Sequence, residues 1–150
     1  SRANFMWCAT QALNGLIGCG VPGDWTTHLI GHELTAQYGI DHAQSLALVL
    51  PSVLQYCKVN KEKKLIQYAD RVWRFNSKNK QEKIDLAIQK TIDFFQSVGM
   101  KTSFHDYNIK RDKDKFTDIA EDIINHQKMK LGENGEIGKE EIVDILMSIN

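Results

Sequence analysis

The sequence predicts an all-α fold, a bundle of about seven helices. Apolar residues recur at the i, i+3, i+4, i+7 spacing of a helix face along most of the 150 residues. No segment shows the period-two alternation that is typical of a half-buried strand. The connections between the helical segments are short, so neighbouring helices should lie antiparallel or cross steeply.

Glycines, aspartates and one proline set the predicted limits of the first three helices. Gly18 follows the first helix and is a suitable C-terminal cap, as is Gly39 after the second. Asp24 and Asp41 stand where the second and third helices need an N-cap. Pro51 lies inside the third apolar pattern and should kink or split that helix. We predict these helices over about residues 2–17, 25–38 and 42–58.

The four remaining helices are predicted from their apolar faces. The fourth helix places Leu65 and Ala69 on one face, the fifth does the same with Ile84 and Ile88, and the sixth repeats the spacing. A polar turn over residues 132–138 precedes the last helix. We predict these helices over about residues 60–75, 79–99, 113–128 and 139–149, with a loop over residues 100–112.

Composition indicates one globular domain without a nucleic-acid or membrane partner. The 19 basic and 19 acidic side chains give a net charge of zero, which removes the electrostatic argument for either partner. No apolar run approaches the roughly 20 residues that span a bilayer. The three cysteines are odd in number and widely spaced, which favours free thiols in a reducing cytoplasm.

The chain starts abruptly inside a helical pattern. Apolar spacing begins at Phe5, without an initiator methionine or a polar lead-in before it. We therefore expect these 150 residues to be a piece of a longer polypeptide.

Three of the five histidines lie in the segment "DWTTHLIGHELTAQYGIDHAQ", residues 24–44. His28 and His32 are four residues apart and share a helix face, and His42 opens the next helix after a tight turn. Imidazoles are favoured ligands of iron and zinc, so the three rings could form part of a metal site, with Asp24 or Glu33 as a further ligand. The alternative is that each histidine is an ordinary packed, hydrogen-bonded residue.

The same segments argue against several other chemistries. Glu33 follows His32 instead of lying between the histidines, so the HExxH zinc-protease motif is not present. The segment 130–141 resembles a calcium-binding loop, but Lys130 and Gly132 stand where that loop needs carboxylates. Neither a GxSxG nucleophile motif nor a glycine-rich phosphate-binding motif occurs.

The stretch "ATQALNGLIGCGVPGDWTTHLIGHELTAQYGIDHAQSLALVLPSV" closely resembles the C-terminal half of iron-containing alcohol dehydrogenases. It is most similar to the subgroup of NAD(P)H-dependent butanol dehydrogenases and aldehyde reductases. The resemblance continues through "LIQYADRVW", "FFQSVGMKTSFHDYNI" and the last helix, and so covers essentially the whole chain.

The resemblance implies different roles for the three histidines. In the family, one divalent metal is held by an aspartate and a histidine from an earlier helix and by two histidines that match His28 and His42. The histidine that matches His32 lies beside the nicotinamide and the substrate, so His32 is the candidate catalytic and cofactor-contacting residue. The periodicity alone would equally allow His28 and His32 to be the ligand pair. Trp25 could form a wall of the substrate pocket or simply pack in the core.

The resemblance also implies a two-domain enzyme of which residues 1–150 are the helical metal-binding and substrate domain. The N-terminal α/β nucleotide-binding domain, which holds most of the NAD(P)H, is then absent. The expected metal is Fe²⁺ or Zn²⁺. The expected reaction is hydride transfer between NAD(P)H and an aldehyde or primary alcohol, with the metal polarising the substrate oxygen.

Two further expectations follow from the missing residues. The fragment alone should be inactive, and the full-length enzyme is a possible homodimer. The alternative function is a free-standing helical interaction module whose histidines are only structural.

Overall fold

The computed structural model describes residues 1–75, 79–128 and 130–150. Over these ranges the chain is helical, with one isolated β-bridge between Leu131 and Ile137 and no strand. The predicted all-α class with about seven helices is confirmed. The α-helices are α1 (Arg2–Leu13), α2 (Thr26–Tyr38), α3 (His42–Tyr56), α4 (Glu62–Tyr68), α5 (Lys80–Ser97), α6 (Lys113–Gln127) and α7 (Lys139–Ser148).

Side-chain caps and left-handed residues set several helix ends. Asp112 accepts hydrogen bonds from two N–H groups of the first turn of α6, as expected of an N-cap. Gly39 ends α2 with φ +66°, a conformation that glycine adopts without strain. Asp41 occupies the N-cap position of α3, but its side chain makes no capping bond. Glu141 accepts a hydrogen bond of 2.8 Å from the Gly138 N–H at the start of α7.

Some helices differ from the prediction in length and form. α1 ends at Leu13, and a separate 3₁₀ turn follows over Leu16–Gly18. α3 continues through Pro51 without being split, although the proline ring removes one helical N–H donor. The predicted fourth helix changes after α4 into a π-helical segment over Ala69–Trp73.

The main hydrophobic core is built by α2, α3, α6 and α7 together with the loop around Phe104. A smaller cluster lies between α4 and α5, where Leu65 packs with Ile84 and Ile88. The predicted apolar faces of the later helices supply much of both clusters. The largest fully buried side chains are Phe104, Phe116, Ile30, Leu34, Leu48, Ile84, Ile119, Ile137, Ile142, Ile145, Leu146 and Ile149.

α1 lies outside this core, and none of its residues is buried. Phe5 is 73% exposed and Leu13 is 82% exposed, although both belong to the predicted apolar face. The other large apolar side chains of this region are exposed as well: Met6, Trp7, Leu16, Ile17 and Val21. The apolar spacing of α1 is therefore not matched by burial within the part of the chain that the structure describes. Exposed apolar side chains that lie this close together are typical of a surface that a partner covers.

Among the described residues, no helix is both long and apolar enough to span a membrane.

Candidate functional site

The three histidine rings of residues 24–44 converge at the crossing of α2 and α3. The ring centroids of His28 and His42 are 5.3 Å apart, and those of His32 and His42 are 4.7 Å apart. His28 and His32, one helical turn apart on α2, have centroids separated by 6.0 Å. The structure therefore brings all three predicted site residues together on one face.

A close helix contact produces this convergence. At Gly31, which lies between His28 and His32, a Cβ atom would stand 3.0 Å from Leu46 Cδ2 and 3.1 Å from Ser45 Oγ. The missing side chain therefore lets the first turn of α3 approach α2 closely. That turn begins with His42, so the close contact places the His42 ring beside the rings of His28 and His32.

Buried hydroxyl groups hold the crossing in place. Ser45 is fully buried, and its hydroxyl donates to the carbonyl oxygen of His42 over 2.9 Å. The Thr35 hydroxyl lies 3.3 Å from Ser45 Oγ and 3.0 Å from the Gly31 carbonyl oxygen. Because one serine contacts both the His42 backbone and the α2 side, the two helices are fixed relative to each other.

The three imidazoles have no partner within the protein in the described ranges: none of the side chains of His28, His32 and His42 has a hydrogen bond or an ion pair there. The protein hydrogen bonds that the alternative of structural histidines requires are therefore not found among the described residues. His28 is partly buried, whereas His32 and His42 are exposed. Burial, with further contributions from neighbouring His42 and then His32, lowers the pKa of His28 below its usual value. The neutral ring that results has the lone pair that a metal needs.

Trp25 connects the histidines to a neighbouring cavity. Its ring meets His28 edge-on, with centroids 5.2 Å apart. The indole also lines a cavity of about 250 Å³ together with Leu29 and Leu131. Trp25 is 59% exposed, so it lines this cavity and is not part of the hydrophobic core.

The nearby carboxylates are engaged elsewhere. Asp24 Oδ1 accepts the Thr26 N–H over 2.9 Å, and its Oδ2 lies 2.5 Å from Lys61 Nζ. Glu33 accepts a hydrogen bond from the Gln37 side chain. In residues 1–75, 79–128 and 130–150, no group of three histidine, cysteine, aspartate or glutamate residues is arranged to hold a metal ion. The convergent imidazoles thus fit part of a metal site, and further ligands would have to come from elsewhere.

Two other polar regions, the turn at Asp106 and the segment before α7, have ordinary structural roles. Asp106 accepts a hydrogen bond from the Ser103 N–H in a short turn. Side-chain hydrogen bonding with Ser103, and to a smaller extent this backbone bond, lowers the pKa of the Asp106 carboxyl group. Glu136 accepts the Asn134 N–H within the turn before α7. Neither region shares a hydrogen bond or an ion pair with the three histidines in the described part of the chain.

Two residues that shape the site, Gly31 and Lys61, were not predicted from the sequence. Gly31 was not recognised as the point of close approach, although a glycine between helical histidines is a usable signal of helix packing. Lys61 was not recognised as the partner of Asp24. Its position in a lysine-rich segment provides no signal, because such segments usually form solvated faces.

Comparison with known proteins identifies the family. The model of the Fe-containing alcohol dehydrogenase family, C-terminal part, matches residues 1–150. The chain belongs to the Fe-containing alcohol dehydrogenase family. The resemblance stated from the sequence is thereby confirmed.

Individual family members support this assignment. The NADPH-dependent aldehyde reductase YqhD of Escherichia coli (strain K12) is 48% identical over 136 residues, which are 91% of this chain and 35% of that protein. A crystal structure of E. coli K-12 YqhD superposes with a TM-score of 0.90 at 46% identity, covering 97% of this chain and 37% of that one. The NADH-dependent butanol dehydrogenase A structure from Thermotoga maritima has a TM-score of 0.89 at 29% identity, covering 99% of this chain and 39% of that one. The chain thus spans little more than a third of these family members.

Proposed function

We propose that the chain is the helical C-terminal domain of a metal-dependent alcohol dehydrogenase or aldehyde reductase that uses NAD(P)H. The observation that carries this proposal is the convergence of three imidazoles that have no hydrogen-bond partner among the described residues, on two helices of a domain that belongs to this family. The similar proteins named above are an aldehyde reductase and a butanol dehydrogenase, which supports an aldehyde or a primary alcohol as the substrate.

In this proposal His28 and His42 hold the divalent metal, Fe²⁺ or Zn²⁺. Their rings lie 5.3 Å apart, and His28 favours the neutral form that coordinates. When bound, the metal supplies Lewis-acid chemistry that polarises the oxygen of the carbonyl substrate. The other ligands come from residues outside these 150.

His32 is the proposed catalytic residue beside the nicotinamide and the substrate. It is exposed, and its ring lies 4.7 Å from that of His42, so a molecule bound next to the metal pair would reach it. An imidazole can hold or pass a proton at either ring nitrogen. Trp25, between His28 and the cavity, would exclude water from one side of the substrate.

The domain organisation is part of the same proposal. The chain spans 35% of YqhD, and α1 exposes an apolar surface that the described residues do not cover. We assign that surface to the remainder of the enzyme, which also provides the nucleotide-binding α/β domain. The 150 residues alone are then inactive, and a homodimer of the full-length enzyme and a cytoplasmic location stay predictions. The same surface would also suit the alternative of a free-standing interaction module.

Metal analysis of the full-length protein tests the proposal. H28A and H42A should lose bound metal together with NADPH-dependent aldehyde reduction. H32A should keep the metal and lose turnover by about 10² or more, the usual contribution of a positioned acid–base group. H126A, which removes an exposed histidine of α6, is the matched control. Retention of the metal in both H28A and H42A would reject the metal role and favour the interaction module.

A further inference from the structure

A half-buried ion pair fixes the segment from which the histidine helix begins. The Lys61 ammonium lies 2.5 Å from Asp24 Oδ2 and 3.7 Å from Glu133 Oε2. The side chains of Lys61 and Asp24 are only 19% and 16% exposed, whereas every other ion pair of the described residues has at least one partner that is 41% exposed or more. It joins residues that are 37 positions apart in the sequence.

The backbone of Lys61 is itself held firmly. Its N–H donates to the Cys57 carbonyl oxygen over 2.8 Å, and its carbonyl accepts from the Leu65 N–H over 2.9 Å. The backbone of Lys61, which lies in the connection between α3 and α4, is therefore held in place. A side chain on a backbone that is held in this way can restrict the movement of its partner.

Asp24 passes this restraint to α2. Its other oxygen, Oδ1, accepts the Thr26 N–H, so the carboxylate determines where the first turn of α2 begins. Thr26 is fully buried and accepts the Gly132 N–H at its hydroxyl over 3.1 Å, which ties the same turn to the loop before α7. His28 follows Thr26 by two residues, and Trp25, between Asp24 and Thr26, contacts the His28 ring.

We propose that Lys61 is a positioning residue for the histidine cluster. Through Asp24 it fixes the first turn of α2, and thereby the places of Trp25 and the His28 ring relative to His42. This inference rests on the proposed role of His28 in binding a metal. Lys61 itself does not touch the reacting atoms.

A purely stabilising role makes a different prediction. Replacing both members of a buried ion pair by uncharged groups is often neutral for stability, whereas removing one member leaves an unpaired charge. D24N/K61M keeps an oxygen that can accept the Thr26 N–H and fills the lysine's volume, but it lacks the ionic link. If Lys61 only stabilises the fold, this double variant should resemble the wild type. If Lys61 positions the cluster, the histidine environment should change even where stability recovers.

The experiment compares K61M, K61R, D24N and D24N/K61M with the wild type, each made in the full-length protein, which supplies the remaining ligands. The control is K58M, which removes the more exposed Lys58–Asp85 pair. Proton–nitrogen correlation spectra report the three imidazoles, assigned with H28A, H32A and H42A. Calorimetric titration with Ni²⁺, an ion that imidazoles bind readily, measures metal affinity. Urea unfolding measures stability separately.

We expect K61M and D24N/K61M to shift the His28 imidazole signals and to weaken Ni²⁺ binding about tenfold, as loss of a supporting group around a metal ligand does. K61R and K58M should resemble the wild type in both measurements. Unchanged His28 signals in D24N/K61M would overturn the proposal. If K61M does not fold, D24N and the double variant decide.

The same data separate this inference from the proposed function. If H28A and H42A leave Ni²⁺ binding unaltered or the wild type binds no Ni²⁺, the metal role of the cluster loses support. The imidazole spectra still decide whether Lys61 positions His28. If instead both histidine variants abolish binding while D24N/K61M binds as the wild type does and keeps its His28 signals, the metal role stands and the positioning role is wrong.

Discussion

Gly31 and Ser45 meet where α2 crosses α3, so closely that a Cβ atom on Gly31 would lie 3.1 Å from Ser45 Oγ. Ser45 is fully buried and hydrogen-bonded to the His42 carbonyl, so it cannot move aside without losing that bond. The distance between the histidine-bearing helices is therefore set by the absence of one side chain.

G31A should destabilise the protein by about 1 kcal/mol. Overpacking costs typically 1–3 kcal/mol, and the higher helix propensity of alanine offsets about 1 kcal/mol of that. Urea unfolding measures the difference. G18A is the control, because a Cβ atom at Gly18 meets no atom within 4 Å. A gain in stability for G31A would show that α3 can retreat without loss.

S45A should lower the free energy of unfolding by about 1 kcal/mol, because it removes a buried hydroxyl and leaves the His42 carbonyl and the Thr35 hydroxyl with one partner fewer. S97A is a closely matched control. The Ser97 hydroxyl also donates to a carbonyl three residues earlier, but it is exposed to water, which replaces the lost bond. Equal effects of S45A and S97A in urea unfolding would contradict the proposed importance of burial.

Cys57 should be the slow thiol of the native chain. It is 3% exposed, and burial raises the pKa of its thiol despite the opposing charge of Lys61, so little reactive thiolate is present. Cys8 and Cys19 are exposed. Ellman's reagent should therefore modify two thiols of the native chain at once and the third only in denaturant. In C57A, the additional thiol that reacts in denaturant should be absent, and its persistence would refute the assignment.

The Asp24–Lys61 pair should contribute to stability over a defined pH range. Burial would raise the pKa of Asp24, but hydrogen bonds from Lys61 and Thr26 hold it below its usual 3.8. Burial would lower the pKa of Lys61, but the bond to Asp24 raises it above its usual 10.5. A depressed carboxyl pKa stabilises the fold above pH 3.8, and this stabilisation disappears as the pH falls through the folded-state value. For a raised lysine pKa, the stabilisation is complete below pH 10.5 and disappears above it.

D24N should therefore lose about 2 kcal/mol near neutral pH, the contribution of a hydrogen bond to a charged group. The deficit relative to the wild type should shrink below pH 3.8. Urea unfolding at several pH values provides the measurement. D85N, which removes an exposed pair, should cost no more than about 1 kcal/mol. A deficit of D24N that is the same at pH 3 and pH 7 would mean that the carboxylate charge is not responsible.

The histidine cluster was partly predictable because its determinants are local. The spacing of His28 and His32 places them on one helix face, and Gly39 ends α2 just before His42. The contact between Lys61 and Asp24 was not predictable. These two residues are 37 positions apart, and their contact depends on how distant segments of the chain pack together. The exposure of α1 could not be predicted from the sequence either. Periodicity indicates that a helix has an apolar face, but not whether the surface that covers this face belongs to the same 150 residues.

The exposed apolar helix α1 has a consequence for the energetics of the isolated chain. Helices of about 12 residues are only marginally stable in water without tertiary packing, and α1 has 12 residues with none of them buried. Its amide hydrogens should exchange with solvent through local fraying, whereas those at the α2–α3 crossing require opening of the core. Deuterium should therefore enter residues 2–13 long before it reaches the histidine helices.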